Sequence, residues 1–367
     1  MYDVIVVGGG IAGLFNSILL SRKGLHVALF EKKVYPFHRV CGEYISNEVK
    51  PFLLRNDLFP EDLNPANISQ FQLTSVNGHL AELPLGLGGF GISRYAFDDY
   101  LYHQAKNSGV AFFENTTVTN IDFENESFEV IANKKSYQSR LVIGAQGKRS
   151  ILDKDRKFMQ KKSPYLGVKY HIKSDQAPDQ IALHNFRNGY CGISQVENQT
   201  FNLCYLSHRD NLKKHKTVEE MEYQVLHENP FLKNIWATSD FLFDKPEVIN
   251  EISFEKKELV YNHILMCGDT AGMITPLCGN GMAMAIRSAR ILSELIIKYC
   301  NKGQLKRIHL EQSYEKEWSK QFSARLWTGR QIQKMFGSSW SSNLAVHILK
   351  NQKLGQAIVR LTHGKPF

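Results

Sequence analysis

The chain has 367 residues, which is long for one simple domain and short for three. Hydrophobic residues make up 43% and aromatic residues 11%, so the chain can bury a large core and is not a disordered protein. No apolar run reaches the roughly 18 residues of a transmembrane helix, and the apolar N-terminus lacks the basic segment of a signal peptide. The six cysteines have no metal-ligand spacing. We therefore expect a cytoplasmic protein with reduced thiols and no metal site.

The N-terminal segment "YDVIVVGGG" predicts a buried parallel strand that ends in a glycine loop. Gly8, Gly10 and Gly13 have the G-x-G-x-x-G spacing, and "IAGLFNSILLSRKG" continues with helical periodicity. The next strand, "LHVALFE", ends at Glu31, about where an acid would bind a ribose hydroxyl. The glycines let the backbone approach a pyrophosphate, which the helix N-terminus attracts. This order of elements predicts dinucleotide binding.

A second match to the spacing, "GLGGFG" at Gly86–Gly91, lacks an acid about 20 residues further on. The amphipathic helix that follows it begins no second β-α-β unit. We therefore interpret this segment as a loop before a helix. It gives no support for a separate nicotinamide-binding domain.

Between residues 165 and 210, short alternating runs separated by Asn-Gly and Glu-Asn-Gln turns predict an antiparallel sheet. Such a sheet would line a substrate cavity. Aromatic residues on strands are more often core than cavity wall. The aromatic residues of these runs are Tyr165, Tyr170, Phe186, Tyr190, Phe201 and Tyr205.

A second glycine loop follows the predicted strand "NHILMCGDT". Asp269 at the strand end can accept hydrogen bonds from a polyol chain. After Pro276, the loop of Gly279, Asn280 and Gly281 opens a helix, whose N-terminal amides favour negative charge. A reduced flavin ring carries such charge. We predict that this loop holds the ribityl chain and ring of FAD, while the first loop holds its ADP end.

These motifs resemble the FAD-dependent oxidoreductases that include aromatic-ring hydroxylases, flavin halogenases and geranylgeranyl reductases. "ISRYAFDDYL" is similar to the family's Arg-x-x-Phe-Asp-x-x-Leu segment, which makes Arg94 an expected cofactor contact. Arg39 occupies the place of an arginine that is common after the ribose-binding acid, although a surface cation is an equal alternative. Gln146 stands where the family usually has Asp, which weakens the case for nicotinamide binding while leaving FAD binding expected.

The branch of the family is less defined. "GDTAG" has Gly272 where hydroxylases usually have histidine, and the pair Cys41-Gly42 in "HRVCGEYIS" resembles the geranylgeranyl reductase branch. The Trp-x-Trp-x-Ile-Pro motif of halogenases is missing, so this reading disfavours halogenation. The resemblance implies that Cys41 lies near flavin and substrate; a small buried hydrophobe is the alternative. Glu43 is a candidate acid or base if burial raises its pKa; otherwise it is a surface carboxylate.

We therefore expect an α/β fold in which a Rossmann-type FAD-binding domain carries an inserted antiparallel-sheet substrate domain and a helical C-terminus. The expected FAD-binding part comprises residues 1–70, 90–155 and 255–300, and the substrate part comprises 71–89 and 156–254. The expected function is NAD(P)H-driven oxidation or reduction of an apolar aromatic polyketide or prenyl lipid, with hydroxylation favoured over double-bond reduction. A flavin electron carrier without its own substrate is the alternative of a different class.

Residues 301–367 carry the net charge of the chain, with 12 Lys and Arg against 3 Glu. In this region Trp318, Phe322 and Leu326 share one helical face, with Lys320 and Trp327 on the other. The apolar face could pack on the flavin domain. The basic surface could instead meet an anionic membrane or remain a solvated face. We expect no nucleic-acid partner.

Overall fold

The computed structural model describes residues 1–160, 163–250, 252–273, 280–301, 304–333, 336–362 and 364–367. Within these ranges the chain forms two large sheets with helices around them, which confirms the predicted α/β fold class. The strands are β1 Tyr2–Val7, β2 Val27–Phe30, β3 Tyr44–Ser46, β4 Ala66–Thr74, β5 Leu80–Gly91, β6 Ala111–Phe113, β7 Val118–Glu124, β8 Ser127–Ala132, β9 Lys135–Gly144, β10 Tyr165–Lys173, β11 Gln180–Phe186, β12 Gly189–Gln195, β13 Phe201–His208, β14 Asp240–Phe241, β15 Glu247–Asn250, β16 Val260–Tyr261, β17 Ile264–Met266, β18 Cys300–Asn301 and β19 Gln304–Leu305.

The helices include the two that were predicted to follow glycine loops and three in the C-terminal region. Among the described residues, no helix is both long and apolar enough to cross a bilayer. The helices are α1 Ile11–Ser21, α2 Lys50–Arg55, α3 Arg94–Asn107, α4 Arg209–His215, α5 Val218–Val225, α6 Pro230–Thr238, α7 Gly281–Tyr299, α8 Arg307–Gln333, α9 Ser339–Lys350 and α10 Gln352–Thr362.

The first sheet is built around β1, whose residues Val4–Val7 are buried. Its strand order is β16-β17-β9-β1-β2-β6, and the β7–β8 hairpin extends from β9. Strands β17, β9, β1, β2 and β6 pair in parallel. Parallel strands end at a common edge, which is where α/β proteins bind cofactors. The residues that follow β1, β2, β9 and β17 therefore meet at this edge.

The second sheet has the order β14-β10-β13-β12-β11-β4-β5-β3, with β15 also paired to β10. Its pairs are antiparallel except β4 with β11, which is parallel. Strands β3 and β4 both belong to this sheet. However, β3 and the first part of β4 lie within residues 1–70, which the sequence analysis assigned to the FAD-binding part. The division of the chain between the two parts stays a prediction.

The segment Gly86–Gly91 is a correction to the sequence analysis. It is not a loop but the last part of strand β5, which pairs with β3 and β4. At Gly91, an added Cβ would lie 1.8 Å from the carbonyl oxygen of Gln195. A glycine is therefore required here by the close approach of another backbone segment, which produces the same residue pattern as a phosphate loop.

The C-terminal helices pack on both sheets. On α8, Trp318, Phe322 and Leu326 are buried in the same core cluster as α1 and β1, so the apolar face packs on the Rossmann-type part. Trp327 and Lys320 are exposed on α8, as the helical spacing predicted. Helices α9 and α10 both contact β5, and they cover the end of the second sheet.

A buried carboxylate ties the C-terminal end of the chain to this assembly. The Glu48 side chain is fully buried and accepts hydrogen bonds from both terminal nitrogens of Arg325, at 2.7 and 3.3 Å. It also accepts the backbone N–H of Gly364, and the Glu48 carbonyl accepts that of Phe367. The Phe367 ring packs on Phe52. A single anion thus holds α8 and the last residues together.

We expect Glu48→Gln to lower the free energy of unfolding by about 3 kcal/mol, because it removes the anion of a buried ion pair. Urea denaturation would measure the loss, and limited carboxypeptidase digestion would show faster release of the C-terminal residues. Asp210→Asn, which breaks an exposed ion pair with Lys213, is the matched control and should cost less than about 1 kcal/mol. Equal losses for the two variants would contradict this account.

Candidate active site

The first glycine loop lies at the end of β1, where the backbone itself leaves no room for side chains. Gly8 has φ +105°, and an added Cβ would lie 2.4 Å from the Ala145 carbonyl oxygen. A Cβ on Gly13 would lie 1.9 Å from the Gly8 carbonyl oxygen. Gly10 precedes α1, whose first turn has neither a side-chain cap nor an acidic residue. The amides of this turn are thus suited to a pyrophosphate.

Glu31 follows β2 and lies beside the first loop. Its carboxylate, 4% exposed, accepts the N–H groups of Gly9 at 2.8 Å and Lys33 at 3.1 Å. Arg39 donates to Glu31 at 3.0 Å and to Asp98 at 3.2 Å. Glu31 and Arg39 both line the main cavity. A carboxylate has about four acceptor positions, so Glu31 retains capacity for ribose hydroxyls.

Arg94 begins α3 and faces the same cavity. Its guanidinium donates two hydrogen bonds to Asp98, at 2.7 and 2.6 Å, which fixes its plane. An added Cβ on Gly10 would lie 3.6 Å from an Arg94 terminal nitrogen, so the cation lies directly at the first loop. Cys41 lines the same cavity. Arg94 and Cys41 thus both face the space beside the proposed phosphate site.

The second loop meets the first. Gly268 follows β17 with φ +65°, and an added Cβ would lie 2.7 Å from the Cβ of Ala12 in α1. Gly268, Asp269 and Gly281 line the cavity, and Asn280 is buried immediately before α7. Pro276 and Gly279, two of the predicted flavin contacts, lie outside the described residues. The described part of this loop thus lies at the same edge of the parallel sheet as Gly8.

Gln146 offers an observation that tests whether these residues fit FAD. It follows β9 and lines the cavity, and its amide nitrogen donates to Asp153 at 3.4 Å. Its side-chain oxygen is buried, and the described part of the chain supplies no donor for it. A buried acceptor calls for a partner, and a flavin ring carries polar N–H groups. Gln146 thus fits a bound FAD, as do the uncapped N-terminus of α1, the Glu31 carboxylate and the guanidinium groups of Arg39 and Arg94.

Glu43 is the centre of a buried cluster that the sequence analysis did not find. It has φ 53° and is fully buried; its carboxylate contacts the Lys169 ammonium, the His171 ring at 2.7 Å and the Arg94 backbone N–H at 2.7 Å. Burial raises its pKa, but Lys169 and His171 outweigh that effect and lower the pKa to about 2. Glu43 is thus ionised at neutral pH. The acid–base role that the sequence suggested depends on a raised pKa, so the lowered pKa of Glu43 argues against that role.

Cys41 lies in the cavity wall, two residues before Glu43. Its carbonyl accepts a hydrogen bond from the Asn202 amide at 3.2 Å, which connects it to the second sheet. Cys204 on β13 also lines the cavity, and burial raises its pKa to about 12, so its thiol remains neutral. Two thiols thus face the region between the cofactor loops and the second sheet. Sequence reasoning identified only Cys41.

The cavity has a volume of about 1210 Å³ and extends from Gly8 and Glu31 to the second sheet and the C-terminal helices. Of the six aromatic residues considered above, Tyr190 and Tyr205 line it. Tyr165 packs against the hydrophobic cluster that includes α9, while Tyr170, Phe186 and Phe201, together with Tyr205, belong to a second hydrophobic cluster. The part beneath α9 and α10 is apolar. Its wall includes Leu73, Leu183, Leu206, Ile348, Leu349 and Val359.

The geometry defines a flavin-dependent class of protein, and comparison with known families agrees. The family described as FAD binding domain matches residues 91–324, and the one described as NAD(P)-binding Rossmann-like domain matches residues 6–53. Since the first match spans more than half of the chain, the protein belongs to this FAD-binding family. The predicted membership in the FAD-dependent oxidoreductases is confirmed.

Curated relatives cover most of the chain at low identity. Conditioned medium factor receptor 1 of Dictyostelium discoideum is 24% identical over 88% of this chain and 68% of that protein. Digeranylgeranylglycerophospholipid reductase of Methanosarcina acetivorans is 25% identical over 87% and 80%. Tryptophan 2-halogenase of Chondromyces crocatus is 22% identical over 85% and 64%. Among solved structures, flavin-dependent brominase Bmp2 superposes with a TM-score of 0.80, at 18% identity and over 98% and 93% of the chains.

These comparisons bear on the reaction type. Halogenases and prenyl-lipid reductases are both among the relatives, whereas the preference for hydroxylation gains no specific support. The sequence analysis disfavoured halogenation because the Trp-x-Trp-x-Ile-Pro motif is missing. That inference rested on one missing motif, whereas the similarity to a halogenase extends over most of the chain. The missing motif therefore carries less weight than the sequence analysis gave it. The structural likeness, being under 25% identical, establishes the fold alone.

We expect Asp269→Ala to weaken FAD binding about tenfold or more, because a charged hydrogen-bond acceptor is removed from the cavity wall. Titration of the apoprotein with FAD, followed by flavin fluorescence, would measure the dissociation constant. Asp240→Ala, at an exposed position of β14, is the matched control. Unchanged FAD affinity in the Asp269 variant, or a wild-type protein that takes up no FAD, would contradict the assignment.

We expect Glu43 to stabilise the fold in a pH-dependent way. Because its pKa falls from 4.5 to about 2 on folding, its contribution is complete above about pH 4.5 and is lost as the pH falls toward about 2. The difference in unfolding free energy between wild type and Glu43→Gln should therefore narrow below about pH 4.5 in urea denaturation. Exposed Glu124→Gln should show no such narrowing. A difference that is constant with pH would show that Glu43 is not held ionised.

Proposed function

We propose that the protein uses FAD to modify an apolar small molecule, an aromatic polyketide or a prenyl lipid. The observation that carries the proposal is a continuous cavity, which joins the two cofactor loops to an apolar chamber. Ligand sites are commonly apolar, with a few polar groups that orient the ligand. Here the polar groups lie at the cofactor end and the leucine and isoleucine side chains at the other. A substrate with a reactive ring or double bond and an apolar extension matches this division.

The residues of the cofactor end have separate tasks. The first turn of α1 and Arg94 would bind the pyrophosphate, Glu31 the ribose, and Asp269 the ribityl chain. Bound FAD, when reduced, supplies electrons either to the substrate or to molecular oxygen. The ionised Glu43 fixes Cys41-Gly42 and the start of α3, so that the cavity wall is preorganised. The apolar chamber excludes water from the reacting atoms.

Our leading reaction is oxygen-dependent substitution on an electron-rich aromatic ring, as halogenation or as hydroxylation. Halogenation is placed first because a tryptophan 2-halogenase is among the relatives; hydroxylation is the form that the sequence analysis favoured. The protonation state of Glu43 supports this class. Double-bond reduction needs a proton donor beside the hydride acceptor, and an ionised Glu43 cannot supply the proton. Ring substitution instead releases a proton from the substrate.

Double-bond reduction is the second candidate, and Cys41 is the observation that favours it. Cys41 lies in the cavity wall, as does Arg94. A thiol in this position could donate the proton that completes reduction of a carbon–carbon double bond. The digeranylgeranylglycerophospholipid reductase among the relatives is named for a prenyl-lipid substrate. Cys41→Ser would separate the two candidates, since only the reduction would depend on the thiol.

The source of electrons belongs to the proposal as well. We infer that a separate flavin reductase supplies the reduced flavin, because Gln146 stands in place of the family's usual acid. Direct reduction by NAD(P)H, the expectation from the sequence, is the alternative. Anaerobic mixing of the holoprotein with NADH or NADPH would decide, because bleaching of the flavin absorbance reports direct reduction. An electron carrier would pass electrons on without changing any apolar compound.

We expect the reduced holoprotein, given air, bromide and a panel of apolar aromatics and prenyl lipids, to form a product in which bromine has replaced one hydrogen or one oxygen atom has been added. Mass spectrometry would identify it, and matched oxygen consumption would exclude double-bond reduction.

Ala345 lines the apolar chamber, so Ala345→Phe should raise KM for long substrates about tenfold with little change in kcat for short ones. Exposed Ala324→Phe is the matched control. No product from any substrate would refute the enzyme assignment.

A further inference from the structure

The outer faces of the last two helices carry apolar side chains that the fold does not use. On α9, Trp340 and Leu344 are exposed one helical turn apart, with the polar His347 one turn further on the same face, and Trp340 is 77% exposed. On α10, Leu354, Ala357 and Leu361 form a second exposed row, and Leu361 is 61% exposed. We call these six residues the outer stripe. Apolar residues in rows mark an interaction surface, whereas scattered ones do not.

The inner faces of the same helices are already occupied. Ala345, Val346 and Leu349 of α9 are buried in a hydrophobic cluster with strands of the second sheet. An added Cβ on Gly355 of α10 would lie 3.2 Å from the Leu349 carbonyl oxygen, so the two helices are in close contact. The outer stripe is therefore additional to the apolar face that the fold needs. Packing within the chain does not account for it.

The charge around the outer stripe has one sign. Lys350, Lys353 and Arg360 are exposed on α9 and α10, and Lys365 is exposed just after them. Residues 318–367 contain no Asp or Glu in the sequence, so no acid of this segment balances these cations. A surface that combines tryptophan, leucine and uncompensated cations complements the interface of an anionic bilayer. Each such cation near an anionic surface contributes about 1 kcal/mol of attraction.

The outer stripe also reaches the substrate cavity. Leu361 is both exposed and part of the cavity wall, and its neighbours Ile358 and Val359 line the chamber. One end of the apolar chamber thus opens beside the stripe. We propose that the face formed by α9 and α10, together with the exposed Trp327 of α8, docks on an anionic membrane surface and takes its apolar ligand from the lipid phase.

Not every aromatic side chain of the basic region is available to a membrane. Trp318 is buried in the core and Phe336 lines the cavity. Trp340, Leu354 and Leu361 are the exposed side chains that would meet the bilayer. An acidic carrier protein would also attract the cations. The membrane is favoured because the apolar rows lie on the outsides of two helices and end at the mouth of an apolar chamber.

The test is sedimentation of the FAD-loaded full chain with vesicles of phosphatidylcholine, with and without phosphatidylglycerol, at low and high salt. We expect binding at least about tenfold stronger to the anionic vesicles, and weaker at high salt because exposed charges are screened. The variants Trp340→Ser with Leu344→Ser, and Lys353→Gln with Arg360→Gln, should each lower the partition coefficient about tenfold or more. Tyr223→Ser and Lys213→Gln with Lys214→Gln, at exposed positions of α5 and α4, are the matched controls.

Tryptophan fluorescence gives a second readout that folding defects do not imitate. Brominated lipid should quench the wild-type protein, and Trp327→Phe with Trp340→Phe should abolish the quenching while Trp236 and Trp318 still report the folded state. Retained FAD in every variant would show that the fold is intact. Equal binding to neutral and anionic vesicles, absence of binding, or loss of binding in the control variants would overturn the proposal. Retention on an immobilised acidic carrier protein without vesicle binding would also overturn it.

Discussion

The buried carboxylate of Glu43 connects the three parts of the molecule that form the candidate site. It binds Lys169 and His171 of the second sheet, accepts the backbone N–H at the start of α3, and belongs to the segment that carries Cys41. A buried anion is unfavourable unless charges and donors surround it. The ion pair therefore requires that the second sheet and α3 come together. The position of the cavity between the two sheets depends on this contact.

The cofactor end follows from a constraint of a different kind, the closeness of backbone segments. Gly8, Gly13 and Gly268 each lie where a side chain would collide with a neighbouring segment. This closeness brings the ends of β1, β2, β9 and β17 to one edge, where Glu31, Gln146 and Asp269 line the cavity. Uncapped amides and carboxylates at one edge suit a molecule with a pyrophosphate and two polyol segments. Membership in the FAD-binding family agrees with this chemistry.

The C-terminal region serves two purposes that composition alone did not separate. One face of α8 packs into the core through Trp318 and Phe322, whereas α9 and α10 cover the chamber with their inner faces. The net positive charge belongs to residues that remain outside these contacts. The two interpretations of the basic region, packing and surface attraction, thus apply to different faces of the same segment. The exposure of Lys320 and Trp327 agrees with their predicted position opposite the apolar face of α8, while the exposed face to which Trp340 belongs was not predicted.

The sequence by itself determined the local structural motifs of this protein. The β1–α1 loop, Glu31 after β2 and the helix after the second loop were readable because each depends on residues close together in the chain. Lys169, His171 and Cys204 escaped notice, although the spacing of Lys169 and His171 places both on one face of β10 and could have raised the question. Their importance arises only because β10 meets a segment more than a hundred residues away. The glycines of β5 were misread for the same reason, since the Gln195 carbonyl that excludes a side chain at Gly91 comes from the end of strand β12, about a hundred residues further along the chain. The tertiary structure alone decided the ionisation of Glu43, the path of the cavity and the outward face of α9 and α10, because burial and charge pairing are set by residues that the chain brings together only on folding.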